Sequence, residues 1–240
     1  MAGIVAQFAA AAQCAKTAGF DGVEIHNANG YLLDQFLRDG TNHRTDDYGG
    51  SVANRARLTL EVTDAVTKVW GASRVGIRFS PGGIFNDMHD SNPLETFSYV
   101  LRELNRFHLA YAHVIVSTED DLRHGAVPVP LAALRQACHG ALIANGGFTR
   151  DTAARALTDG TADAVAFGHL FLANPDLPER FRFNAPLNTA DESTFYGGSE
   201  KGYTDYPALP PQLVQNVGRL TQGTITIDPC AVSSLTATRA

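Results

Sequence analysis

Along this chain, stretches whose apolar residues recur every three to four positions alternate with short apolar runs, a pattern that predicts helices and strands in turn. Within residues 4–18 the positions Ile4, Val5, Phe8, Ala12 and Ala15 keep helical spacing, and Gly19 is suited to end that helix. A strand is expected over 20–25. Helix and strand then recur at 52–70 and 75–79, 93–107 and 112–116, 129–137 and 141–144, and 149–157 and 164–167. Five strands joined through helices by short links argue for a parallel sheet, either doubly wound or part of a (β/α)8 barrel.

The strand ends choose between these two. His26 to Tyr31, Arg78 to Pro81, Asn145 to Gly147 and Gly168 to Asn174 all lie where strands finish, and parallel barrels build their active sites on that carboxyl-terminal side. The expected fold class is therefore α/β, a partial TIM (β/α)8 barrel of about the last five β/α units. Five strands do not close a ring that needs eight. Three more are expected from a partner, unless the sheet is rearranged, because an open remnant exposes two edges and a half-lined core. The barrel domain is expected over 1–209. Residues 210–240, with a segment rich in Thr and Ser, read as an irregular tail with at most a short strand at 224–227.

Composition narrows the function. With 240 residues, 44% of them apolar, the chain has room for one large core. A net charge of −6 without a basic cluster argues against nucleic acid or an anionic membrane surface and for a small-molecule partner. No run approaches the roughly eighteen apolar residues of a membrane span, and the start lacks a signal pattern, so a cytoplasmic protein is expected. Cys14, Cys138 and Cys230 are widely separated, and His43, His89, His108, His113, His124 and His139 show no ligand spacing. Neither a disulfide framework nor a metal site is expected.

The run from Val23 to Tyr31 carries the candidate chemistry. Strand alternation puts Val23 and Ile25 on one side and Glu24 and His26 on the other, so His26 should face the rim. Gly30 permits a tight turn that aims Asn29 and Tyr31 at the same point. His26 and Asn29 are then donors suited to polarising a carbonyl oxygen, and the Tyr31 hydroxyl is suited to moving a proton. Blander readings exist for other residues. Arg78 is a candidate ion-pair partner for Glu24, Asn145-Gly146-Gly147 alone reads as a turn, and Asp46-Asp47-Tyr48-Gly49-Gly50 reads as a solvated loop capping the next helix.

Taken together, Gly19-Phe20-Asp21-Gly22-Val23-Glu24-Ile25-His26, Asn29-Gly30-Tyr31-Leu32-Leu33-Asp34-Gln35-Phe36-Leu37 and Asn42-His43-Arg44-Thr45-Asp46-Asp47-Tyr48-Gly49-Gly50-Ser51 resemble the Old Yellow Enzyme family of flavin-dependent ene-reductases. Arg78-Phe79-Ser80-Pro81, Ala144-Asn145-Gly146-Gly147-Phe148, Ala166-Phe167-Gly168, Ala173-Asn174-Pro175-Asp176-Leu177 and Phe195-Tyr196-Gly197-Gly198 continue the likeness, which covers about residues 3–209. The resemblance implies an FMN-bound barrel in which NADPH reduces the flavin and hydride passes to an activated alkene such as an enone. It implies that His26 and Asn29 hold the substrate carbonyl or nitro group and that Tyr31 protonates the α-carbon. It puts Arg78 against the flavin ring, Asn145, Gly146, Gly147 and Gly168 at the FMN phosphate, and Phe195 and Tyr196 along the flavin and substrate pocket.

Two departures from the family pattern stand out. Met1 falls where family members have already completed three strands, and His169 stands where the family has an arginine at the phosphate. Histidine is mostly neutral at pH 7 and offers fewer donors. Losing a charge-assisted bond of roughly 1.5 to 3 kcal/mol weakens binding by about ten- to a hundredfold. Three readings follow: a reductase completed by a second chain or by homo-oligomerisation; a flavin-free isomerase or cyclase using His26, Asn29 and Tyr31; and a non-catalytic truncated subunit. The first leaves a use for Arg78, the Gly-rich loop and the Phe195–Tyr196 pair together.

Overall fold

The structure, a computed structural model, describes residues 1–197 and 199–210, and the chain divides into two compact units, the first Met1–Ala166 and the second beginning at Phe167. Gly198, Cys230, the expected strand at 224–227 and the expected tail from 211 on lie outside the described residues.

In the first unit, helix α1 (Ala2–Thr17) ends at Gly19, whose φ of +87° suits glycine. Strand β1 (Val23–Asn27) begins three residues later than the sequence suggests, because Phe20 is 67% exposed and belongs to the preceding turn. A short helix α2 (Leu32–Leu37) follows, then α3 (Val52–Trp70), which begins at its Ser51 cap. Asp46 is not part of that cap: it accepts from Arg44 and from the Tyr48 amide. Strand β2 (Val75–Phe79), helix α4 (Pro93–Leu104), strand β3 (Tyr111–Ile115), helices α5 (Glu119–Arg123) and α6 (Leu131–Ala137), strand β4 (Leu142–Asn145), helix α7 (Arg150–Thr158) and strand β5 (Ala164–Ala166) complete the unit. The first helix is fastened to α3 at its far end, where Trp70 Nε1 donates to the Ala12 carbonyl at 2.9 Å and Lys16 Nζ to the Val69 carbonyl at 2.7 Å.

All neighbouring strands are parallel and the sheet order is β1-β2-β3-β4-β5. A doubly wound sheet reverses its strand order at a switch point. This one never reverses, which is the order of a barrel segment, and the right-handed rule for parallel crossovers then puts the connecting helices on one side.

Alternation along the strands makes the two faces chemically different. On the helix side Ile25, Ile77, Phe79, Val114, Leu142 and Ala144 are buried, together with Asn27, whose Nδ2 donates to Thr59 Oγ1 on α3 at 3.1 Å. On the inner side the register sets His26 opposite Arg78 and Arg78 opposite His113. Glu24 also lies on this side and accepts from His113 Nδ1 at 3.0 Å. A Cβ on Gly76 would meet the Tyr111 ring at 2.3 Å, so only glycine lets that ring cross the sheet to reach Glu24. Burial and the Glu24 carboxylate push the Tyr111 phenol up to about 12, so it remains a donor. His113, which sequence spacing left without a role, is thus half of an inner-face polar pair.

The second unit opens with helices α8 (His169–Ala173) and α9 (Leu177–Phe183). Buried Arg180 pairs with Asp176 at 2.6 Å and donates to the carbonyls of Pro186 and Pro207, which ties the following loop to α9. Among the described residues no helix is long and apolar enough to cross a membrane.

Burial raises the Glu24 pKa, but the His113 hydrogen bond and charge outweigh it and hold the carboxyl below its ordinary value of 4.5. The stability this contributes is fully present above pH 4.5 and lost as pH falls through the lower folded value. Urea unfolding of Glu24→Gln against the parent should show a deficit on the order of 1 kcal/mol at pH 7 that closes in acid; a pH-independent deficit would contradict this account.

Candidate active site

The site begins inside β1 rather than beyond it. His26 is the fourth residue of the strand and lies on the inner face, half-buried. Ala28, fully buried, leads into Asn29 and Gly30, whose φ values are 56° and 73°. A Cβ on Gly30 would meet Asn86 Cβ at 2.6 Å and the Phe85 carbonyl at 3.0 Å, so both conformation and space require glycine here. The double left-handed turn delivers Tyr31 to the start of α2 and brings its ring back over the strand. The Tyr31 and His26 ring centroids are 5.1 Å apart at 59°.

The inner face around His26 is polar. The Arg78 Nη2 donates to Asn145 Oδ1 at 2.9 Å, and Asn145 Nδ2 donates to the Ala166 carbonyl at 2.9 Å. The ion pair between Arg78 and Glu24 considered from the sequence is therefore not the one formed: Glu24 bonds to His113, and Arg78 acts on it only through its charge. Burial, and then the Arg78 charge, lower the His26 pKa below 6.5, against the opposing charges of Glu24 and Asp34. At pH 7 the imidazole is neutral, with one N–H to donate and one nitrogen to accept.

The Arg78 Nε is buried without a hydrogen-bond partner among the described residues. A buried donor left unmet costs free energy until an acceptor arrives, and a planar, oxygen- and nitrogen-bearing ring system with anionic character meets it. The turn after Asn145 fits the same guest. Gly146 and Gly147 have φ values of 107° and 64°, and a Cβ on Gly146 would meet the Val116 carbonyl at 2.4 Å. The residues present on this unit thus suit a flavin.

In the second unit Gly168 precedes α8, and the exposed His169 ring packs on Phe195 with centroids 4.5 Å apart. Tyr196 is 90% exposed, and the Phe195 carbonyl accepts from the Tyr203 hydroxyl. Sequence reasoning missed the supports of the first-unit site, namely Asp34, Arg38, Ser80 and Asn86. An available signal was Asp34 four residues before Arg38, opposite charges on one helical face among leucines.

The family model described as NADH:flavin oxidoreductase / NADH oxidase family matches residues 1–188. The chain belongs to this family. It is 50% identical over 214 residues to the putative 12-oxophytodienoate reductase 3 of Oryza sativa subsp. japonica, covering 86% of this chain and 55% of that relative. With 12-oxophytodienoate reductase 2 of Arabidopsis thaliana it shares 48% identity over 211 residues, 86% of this chain and 56% of the relative. Among solved structures, morphinone reductase superposes with a TM-score of 0.82 at 50% identity, covering 88% of this chain and 56% of that one. A structure described as TcOYE with pHBA gives 0.82 at 38% identity. The Old Yellow Enzyme resemblance and the partial (β/α)8 barrel both hold, and this family member spans about half the length of the curated relatives it matches.

A proton NMR titration should place the His26 midpoint below 6.5. Arg78→Gln should raise it, because the nearest positive charge is removed. A midpoint that stays put in the variant would remove Arg78 from the electrostatics of this site.

Proposed function

We propose that this chain supplies the substrate-activating side of an FMN-dependent ene-reductase acting on enone-like alkenes with a nicotinamide nucleotide as reductant. The observation that carries the reading is the imidazole of His26 and the phenol of Tyr31 meeting at the end of β1 beside Arg78, whose Nε lacks a partner. When bound, FMN would take hydride from the nicotinamide and deliver it to the alkene carbon. In the first unit Arg78 would hold the flavin ring and Asn145, Gly146 and Gly147 its phosphate end; in the second unit, taken by itself, Gly168 and His169 are phosphate-binding candidates, and Phe195 and Tyr196 substrate-binding candidates, on the family resemblance alone.

The chain's own residues then have distinct tasks. His26, neutral at pH 7, donates its ring N–H to the substrate carbonyl or nitro oxygen, and the Asn29 amide donates a second bond. Together they draw electron density toward that oxygen and make the β-carbon electrophilic. The Tyr31 hydroxyl supplies the proton to the α-carbon. Further strands would pair with the open edges of β1 and β5, from elsewhere in a longer polypeptide, from a second chain or from a homo-oligomer. A flavin-free isomerase would keep His26, Asn29 and Tyr31 but leave the Arg78 donor and the paired glycines without a task.

The completed protein should be yellow and should bleach on anaerobic addition of NADH or NADPH. Tyr31→Phe should slow the proton-requiring half-reaction by about a hundredfold or more while leaving flavin reduction essentially unchanged. Equal loss in both half-reactions would sink the proton-donor role, and a colourless but active protein would favour the flavin-free reading.

His169→Arg should tighten FMN binding by about ten- to a hundredfold, as a permanent charge and a planar fork replace an imidazole. Flavin fluorescence titration of parent and variant reads this directly. Unchanged affinity would take position 169 out of the phosphate site.

A further inference from the structure

Asn29 is a non-glycine residue at φ 56°, a conformation that persists only where the surroundings over-determine it. Its surroundings do so group by group. The Asn29 N–H donates to Ser80 Oγ at 2.8 Å and the Gly30 N–H to Asp34 Oδ2 at 3.0 Å. In the other direction, Asn86 Nδ2 donates to the Asn29 carbonyl at 3.0 Å and Gln35 Nε2 to the Gly30 carbonyl at 2.6 Å. All four backbone groups at these two left-handed residues are held by side chains.

Two of those holders converge on one buried cation. Arg38 is 1% exposed and Asp34 and Ser80 are equally sequestered. Arg38 Nε donates to Asp34 Oδ1 at 2.9 Å, Nη1 to the Gly83 carbonyl at 2.9 Å, and Nη2 to Asp34 Oδ2 at 3.3 Å and to the Ser80 carbonyl. Asp39, next along, accepts from the Ser91 N–H at 2.9 Å. Helix α2 with the two residues after it therefore grips both the turn before it and the loop after β2. Asn86, in that loop, grips the turn in return, and the circuit closes on itself.

We infer that Asp34, acting with Arg38, Ser80 and Asn86, is a positioning residue that sets where the Asn29 amide and the Tyr31 phenol stand relative to His26. Its consequence for turnover rests on the proposed reductase reading; its consequence for geometry does not. Hydrogen bonds to a buried ion pair are directional in a way apolar packing is not, so the circuit fixes orientation as well as proximity.

Asp34→Asn is the direct variant, but it leaves Arg38 buried against a neutral amide and risks unfolding. Asn86→Gly and Ser80→Ala carry the test instead. Glycine tolerates the φ of 59° at position 86 while removing the donor, and alanine removes only the hydroxyl. Three things are read in the completed protein: amide hydrogen exchange at Asn29 and Gly30, the proton–proton NOE between the His26 and Tyr31 rings, and the two half-reactions. Exchange should accelerate by about tenfold or more and the ring NOE should weaken. The proton-requiring step should slow by about tenfold with KM little changed, as misorientation predicts, while flavin reduction holds. Unchanged exchange and NOE in both variants would overturn the inference, and so would faster exchange with the proton-requiring step at the parent's rate. If Tyr31→Phe itself leaves turnover intact, the reductase reading falls, and exchange with the ring NOE still decides the positioning claim.

Discussion

Parallel strands that neighbour one another in chain order must be joined by crossovers on a single side, and this constraint shapes everything else in the first unit. It commits one face of the sheet to helices, and that face is apolar: Ile77, Phe79, Leu142 and Ala144 have no exposure. The opposite face is released from packing against helices and is free to carry Glu24, His26, Arg78, Tyr111, His113 and Asn145. Most of these groups find partners across strands, Glu24 with His113 and Tyr111, Arg78 with Asn145. The inner face is polar where a sheet packed on both sides would be continuously apolar.

Within that frame, the buried pair of Asp34 and Arg38 does what a hydrophobic contact cannot. Swapping a buried ion pair for well-packed apolar residues is often neutral or stabilising, so stability alone is a weak account of it. Direction is the better account. A carboxylate that receives one guanidinium and one backbone N–H, and a guanidinium that reaches two carbonyls, together specify the path of two loops at once. The phenol and imidazole meet because the chain between them has little freedom to do otherwise.

Much of this was legible in the sequence, for physical reasons that also explain the failures. Helix α3 and strand β2 match their expected spans because a long amphipathic period ends at clear signals, Ser51 before the helix and Gly71 after it. Strand β1 was misplaced because Phe20 looks like part of the apolar run, whereas Gly22 beside it packs against the Arg74 carbonyl, where a Cβ would approach to 2.6 Å. Helices α2, α8 and α9 were not expected, since five to seven residues hold too little period to register. The site divides the same way. His26 and Tyr31 are close along the chain and could be paired by eye. Glu24 and His113 are 89 residues apart, and Asn29 and Asn86 are 57 apart. Only folding brings such pairs together, and no local pattern announces them.

The tie between Trp70 and Ala12 has a practical corollary. Trp70 is the only tryptophan in the chain, and it closes the contact between α1 and α3 at the end where strands begin, with the Lys16 ammonium 5.8 Å from its ring. His26 and Tyr31 stand where strands finish, on the order of 15 Å away along a five-residue strand. Intrinsic indole emission from this protein is therefore a gauge of whether its first helix is docked.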